Sequence, residues 1–419
     1  MKNNTLLYVF IAMILAGIAG LLTGQTGTVF GVPYLEIYSL IGQLFLNALT
    51  LVVVPLVAAS IITGTARIAC EHSFGSLGLK TFSLYFLTSA LAVMCAWFVS
   101  VLLEPGIKEH IPNSAMVSGT EALQEIQKNQ GDVFDTIRQI FLKLVPSNIL
   151  AVASQGQMLG LILFSLLFGF FIPKIDAEAG KALLGFWKGI FEVMMCMTHL
   201  VMKALPLGVF GLVAKVVATT GFSALKPIAF FFVTVFCAFG IYCFIVLPLL
   251  LKLMGGINPL KHYKAVSPAL FTAFSTSSSA AALPVTIDCV ERRAGVSNRI
   301  CSFTVPLAIS LNLSGTALYS CVSVFFICQV YGLQPGWGMQ FLIALLALLT
   351  SIGMAGIPSA SIAAIIMILQ TIGLPADGIV MIMAVERILD MFRTGINVLG
   401  HTCCAVLVAK SEGEHVSEF

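Results

Sequence analysis

The segment LDMFRTGINVLGH, Leu389 to His401, sets a carboxylate, a guanidinium, a carboxamide and an imidazole into an apolar stretch: Asp390, Arg393, Asn397 and His401. On a helix of about 3.6 residues per turn, Glu386, Asp390, Arg393, Thr394, Asn397 and His401 share an arc of roughly 100°. One face carrying both charges suits a zwitterion with an extra carboxylate. Asp390 takes the ammonium, Arg393 takes a carboxylate through two parallel N–H groups, and Asn397 both donates and accepts. The alternative is a self-neutralised Asp390–Arg393 pair at i, i+3 that holds helices together. That alternative leaves Thr394, Asn397 and His401 without a role. A second cluster, SLNLSGTALYS from Ser310 to Ser320, puts Asn312, Ser314, Gly315 and Thr316 inside an apolar run. It suits either an interrupted helix whose freed carbonyls coordinate a cation, or a polar kink solvated by its neighbours.

The elements that must position these groups follow from composition. Of 419 residues, 58% are hydrophobic and 10% charged, and the mean hydropathy is +1.01. Soluble domains carry about 25% charged residues, so the expectation is an all-α polytopic membrane protein. Roughly 20 apolar residues cross a bilayer, which leaves room for about eight spanning helices. The first run, Leu6 to Leu22, is too long for the apolar region of a signal peptide and is expected to be a retained anchor. A net charge of +3 without a basic run excludes nucleic acid as a partner and leaves lipid, other subunits and a small solute. The 11 cysteines form no CxxC pair and sit mostly in apolar runs, as small buried hydrophobes do. No Cys/His cluster has zinc-site spacing.

Two of the apolar runs are expected to enter the membrane and return on the same side. Lys and Arg mark inward loops, which places Lys264, Arg292, Arg299 and Lys410 inside and the uncharged loop 331–340 outside. Run 298–331 then crosses once, and 336–373 must re-enter so that 375–409 alone completes the passage inward. Its centre, SIGMAGIPSASIAA, carries Gly353, Gly356 and Pro358. Run 264–287 begins and ends inside, with FSTSSSAAALP at its centre. Irregular backbone at membrane depth is tolerated only where protein or water satisfies it. Two such hairpins, each followed by a spanning helix and entering from opposite faces, form an inverted repeat of the kind that builds midplane sites in secondary transporters. Close helix packing through small residues is the alternative for each stretch taken alone.

The motifs STSSSAAALPVT, NLSGTALY, SIGMAGIPSA and LDMFRTGINVLG together resemble the dicarboxylate/amino acid:cation symporter family, and the resemblance runs from about residue 6 to residue 412. It implies eight transmembrane helices plus two re-entrant hairpins in inverted repeat, assembled as a homotrimer; the compact chain suits a bacterial inner membrane. Residues 1–79 and 143–225 would form a static scaffold, with 104–142 an extracytoplasmic loop. Residues 80–103 and 226–410 would form a mobile transport domain working as an elevator, and 411–419 a cytoplasmic tail. The implied activity is uptake of acidic amino acids coupled to sodium, protons or both, with no cofactor. Implied substrate contacts are Ser278, Ser279, Thr316, Ile357, Pro358, Ser361, Asp390, Arg393, Thr394 and Asn397. A backbone sodium site would use Ser310, Asn312, Ser351, Ile352 and Met354.

Departures from the family pattern concern the ions. Ser314 and His401 stand where sodium-coupled members carry Asp, so two sodium sites lose their carboxylates. Tyr85, Thr88 and Ser89 match the hydroxyl groups of one, but hydroxyls alone are weak ligands for a hard cation. Ser320 stands where animal members carry an acidic proton carrier. With Asp390 and Glu386 on its face, His401 is expected to replace part of the coupling, by moving a proton or as a fixed imidazolium. Uptake of plain dicarboxylates or neutral amino acids is the nearest competing function. A serine hydrolase using STSSS with His401 is a distant one, lacking the GxSxG elbow.

Overall fold

The computed structural model describes residues 4–29, 31–70, 75–106, 142, 145–154, 158–220, 225–352, 354, 360–414 and 416. Their helices, in chain order, are α1 (Asn4–Thr23), α2 (Tyr34–Cys70), α3 (Gly75–Leu103), α4 (Ile149–Ser154), α5 (Met158–Phe171), α6 (Ala177–Lys203), α7 (Leu205–Thr220) and α8 (Leu225–Ile241). There follow α9 (Leu247–Gly255), α10 (Pro259–Thr276), α11 (Ser279–Asp288), α12 (Asn298–Leu311), α13 (Ser314–Val330), α14 (Trp337–Ser351), α15 (Ala360–Thr371) and α16 (Val380–Ser411). A two-residue antiparallel ladder, Thr28–Val29 with Val32–Pro33, joins α1 to α2. Backbone in hydrocarbon must satisfy itself, and helices do so within one segment.

Interruptions occur where the sequence withdraws a donor or offers a cap. Pro248 lacks an N–H, and the helix widens to a π turn over Tyr242–Val246 just before it. There the Tyr263 hydroxyl donates to the Cys243 carbonyl at 2.5 Å. In the first hairpin the chain reverses at Ser277, which adopts a left-handed φ of 50°. Ser278 then caps α11, its Oγ accepting from the Ala281 N–H at 3.2 Å. The tip is thus the serine pair, and Pro284 lies within α11. The second hairpin consists of α14 and α15. Its central residues 355–359, which include Ile357 and Pro358, and Gly353 lie outside the described residues.

Two packing groups emerge. Helix α1 lies on α7, and α2 packs on α5, α6 and α7. Helix α3 runs along α13, and α16 packs on α10, α12 and α13. They meet where α7 touches α16 and where α2 touches α12 and α15. All of α13 is buried, as is α16 from Asn397 to Ala409. Leu22, Leu51, Phe244, Leu253 and Phe271 are exposed on the outer faces. The polar residues of α13 and of the second half of α16 therefore sit where the helix touches protein on every side. Among the described residues four helices, Leu77–Leu103, Lys226–Gly255, Asn298–Val330 and Val385–Ser411, are long and apolar enough to span a membrane. Near the 331–340 loop, Trp97 Nε1 donates to Gln340 Oε1 at 2.8 Å, beside Trp337 at 6.2 Å. Tryptophans of this kind favour a membrane interface.

Candidate functional site

Helices α13 and α16 cross at Gly315. A Cβ there would stand 2.7 Å from the Arg393 carbonyl and 3.1 Å from Asn397 Oδ1, so only glycine permits the approach. One turn on, Gly400 faces Ser314, whose Oγ would lie 2.8 Å from an added Cβ. This close crossing brings the start of the second half-helix against the polar stripe of α16.

At the crossing, Arg393 Nε donates to Asp390 Oδ1 at 2.9 Å, and Nη2 reaches the same oxygen. Arg393 Nη1 donates to Thr316 Oγ1 at 2.6 Å. Asn397 Nδ2 donates to that hydroxyl at 3.1 Å, while the Thr316 N–H donates to Asn397 Oδ1 at 3.2 Å. Thr394 Oγ1 donates to the Asp390 carbonyl at 2.8 Å. Asp390 is fully buried and Arg393 only 2% exposed. A second guanidinium, that of Arg387, places Nη1 3.4 Å from Asp390 Oδ2. The sequence stripe omitted Arg387, although its position at 100° from Glu386 on the helical wheel puts it at the rim of that face. Glu386, 1% exposed, accepts from Ser361 Oγ of α15 at 3.4 Å, tying the second hairpin to α16.

Of the expected substrate contacts, the structure brings Thr316, Asp390, Arg393, Thr394 and Asn397 into one network. Ser361 joins its edge through Glu386. Ser278 and Ser279 form the buried tip of the first hairpin, with Ser278 Oγ engaged in the cap.

The expected cation residues divide into two places. At the end of α14, Ser351 Oγ donates to the Leu348 carbonyl at 2.7 Å, Ile352 caps the helix with extended backbone, and Met354 is buried in an apolar cluster with Leu313. Ser310 is half-buried on the last turn of α12. Around the break between α12 and α13, Thr88 and Ser89 donate to Asn312 Oδ1 at 3.0 and 3.2 Å, and Asn312 Nδ2 donates to Cys404 Sγ at 3.3 Å. His401 Nε2 lies 3.1 Å from the Asn312 carbonyl. Tyr85 donates to the Thr304 carbonyl at 2.5 Å instead of joining this set. The carboxylates expected beside His401 are distant: Asp390 and Glu386 lie 11 and 15 residues back, about 16 and 22 Å along the axis at a rise of about 1.5 Å per residue. Sharing a helical face does not place them beside the imidazole.

The family model for the sodium:dicarboxylate symporter family matches residues 6–411. The chain belongs to that family. This symporter is 32% identical over 414 residues to the proton/sodium-glutamate symport protein of Bacillus caldotenax, covering 98% of this chain and 95% of the relative. It is 33% identical to the proton/glutamate-aspartate symporter of Escherichia coli (strain K12), with 88% and 84% covered. The human excitatory amino acid transporter 3 is 29% identical, with 98% and 86% covered.

Proposed function

We propose that this chain, a cation-coupled symporter of acidic amino acids, holds its substrate against α13 and α16 beneath the tips of the two hairpins. The observation that carries the proposal is the buried Arg393, hydrogen-bonded at once to Asp390 and Thr316. An acidic amino acid offers a like partner for each of these bonds. Its side-chain carboxylate takes Arg393 by two N–H groups and its ammonium takes Asp390, while Thr316, Thr394 and Asn397 hold the remaining polar atoms. Exchanging the internal ion pair for bonds to the substrate keeps both Asp390 and Arg393 paired, and an unpaired buried charge is where the large penalties arise. Asp390 favours amino acids over plain dicarboxylates, and Arg393 favours acidic over neutral ones. The substrate contacts assigned to the hairpins are Ser278, Ser279 and Ser361, with Ile357 and Pro358 in the stretch outside the described residues.

Cation coupling has an electrostatic basis in the same cluster. Glu386 and Asp390 formally balance Arg387 and Arg393, so a substrate of net charge −1 leaves an unbalanced charge at a buried site. A co-transported cation restores neutrality. Of the residues implied for a sodium site, Ser351, Ile352 and Met354 at the end of α14 remain the candidate.

The division into packing groups supports an elevator. Residues 1–79 and 143–225 serve as scaffold, and residues 80–103 and 226–410 as the moving transport domain. The stretch 104–142, most of it outside the described residues, is assigned to an outer loop and 411–419 to an inward tail, with three copies assembled in a bacterial inner membrane. Uptake of labelled aspartate by the purified protein in proteoliposomes, with sodium and proton gradients imposed separately, tests the function. Accumulation above the outside concentration under either gradient supports symport. Equilibration without accumulation under both gradients refutes it.

A further inference from the structure

The break between α12 and α13 opens several helical hydrogen bonds, and α16 takes both halves of one of them. In an uninterrupted helix the Thr316 N–H would donate to the Asn312 carbonyl. Here the Thr316 N–H donates to Asn397 Oδ1 at 3.2 Å, and the Asn312 carbonyl faces His401 Nε2 at 3.1 Å. Facing a carbonyl, that ring nitrogen carries the proton and donates. Asn397 and His401 are four residues apart on one helix, about 6 Å in rise, which matches one turn of the helix they bridge. Each of the four groups is buried, where an unpaired amide or carbonyl is costly.

Carbonyls freed at such breaks are the groups that coordinate sodium in transporters built from discontinuous helices. The surroundings of the Asn312 carbonyl do not suit that ion. The polar side chains that meet there are those of Thr88 and Ser89 from α3, Asn312 from the break, and His401 and Cys404 from α16. They supply hydroxyl, amide, thiol and imidazole groups, whereas a hard cation prefers carboxylate and carbonyl oxygen. The amide oxygen of Asn312 already accepts two hydroxyl hydrogens.

We propose that His401 is a positioning residue whose ring N–H permanently replaces a bound cation at the Asn312 carbonyl, leaving this junction sodium-independent. Asn397 carries the consequence to the substrate, because the same carboxamide holds both the Thr316 backbone and its hydroxyl. The half-helix that presents Thr316 to Arg393 is braced by the chain itself. This deepens the symport described above: sodium acting at the α14 end remains compatible with it, and sodium acting at the break does not.

The experiment compares thermal melts of the purified full chain in detergent, in sodium chloride against choline chloride, for the wild type, His401→Phe and His401→Asp. His401→Phe should lower Tm equally in both salts, having lost the donor while keeping a ring. His401→Asp should gain a saturable sodium-dependent rise in Tm beyond that of the wild type, a readout that a merely structural role would not move. Loss of a wild-type sodium response in His401→Phe would overturn the proposal, as would the absence of any gain in His401→Asp. Should His401→Asp fail to fold, Thr88→Val and Ser89→Ala decide through uptake. The half-saturating sodium concentration should stay within about twofold of the wild type, and a rise of fivefold or more would place the ion at the break. Melts need no transport, so they remain informative even if the uptake assay rejects symport.

Discussion

Replacing Arg393 by Gln removes the charge while keeping a planar, hydrogen-bonding end group. In the structure this guanidinium is 2% exposed and engages Asp390 and Thr316, so its interactions are little screened. Two parallel bonds to a substrate carboxylate gain about 1.5–3 kcal/mol each, since both partners are charged. Releasing the internal bond to Asp390 offsets part of that. A net loss of about 2–4 kcal/mol corresponds to a rise of about 30- to 1,000-fold in half-saturation for aspartate, at about 1.4 kcal/mol per tenfold. A neutral amino acid of similar size has no side-chain carboxylate and should lose less than about threefold. The assay is competition by aspartate and by serine for uptake in proteoliposomes, beside a melt that shows the variant folded. Equal losses for both competitors would refute the assignment of Arg393 to the side-chain carboxylate.

Gly315→Ala pushes a Cβ to within 2.7 Å of the Arg393 carbonyl, which cannot rotate away. It should cost about 1–3 kcal/mol of stability, read as a lowered Tm. Gly400→Ala meets only the Ser314 hydroxyl, which can turn aside, and should cost under about 1 kcal/mol; equal melting shifts would contradict the crossing geometry. Thr316→Val leaves Arg393 Nη1 and Asn397 Nδ2 without their shared acceptor, a loss of about 2–4 kcal/mol that Thr316→Ser should largely restore. Lys80→Met breaks the 2.6 Å pair with Glu412, but with side chains 38% and 22% exposed the effect should stay below about 1 kcal/mol and shrink further in high salt.

The polar face of α16 was legible in the sequence because a charge in an apolar helix is expensive enough to mark a purpose, and because the helical period sorts it. The break at Asn312 and the reversal among the serines were legible for a related reason: small polar residues stand where lipid-facing helices carry Leu. What the sequence withheld was partnership. Nothing in SLNLSGTALYS says that Thr316 gives its N–H to Asn397 or that Asn312 yields its carbonyl to His401, since those bonds join residues 81 and 89 positions apart. Hydropathy could not separate α13, enclosed by protein on every side, from a helix bathed in lipid, because both are apolar all round. Arg387 was passed over as a residue just outside the arc, although a long side chain reaches across that margin.

The balance of formal charge among Glu386, Arg387, Asp390 and Arg393 has an electrical consequence. Moving one elementary charge through the membrane potential takes about 2.3 kcal/mol per 100 mV. A cluster summing to zero contributes no such work when its site changes sides, whatever motion carries it. The voltage dependence of this site then belongs to the amino acid and its accompanying ions, and the charge moved per aspartate, measured as current against uptake, equals the number of coupling cations less the one negative charge of the aspartate.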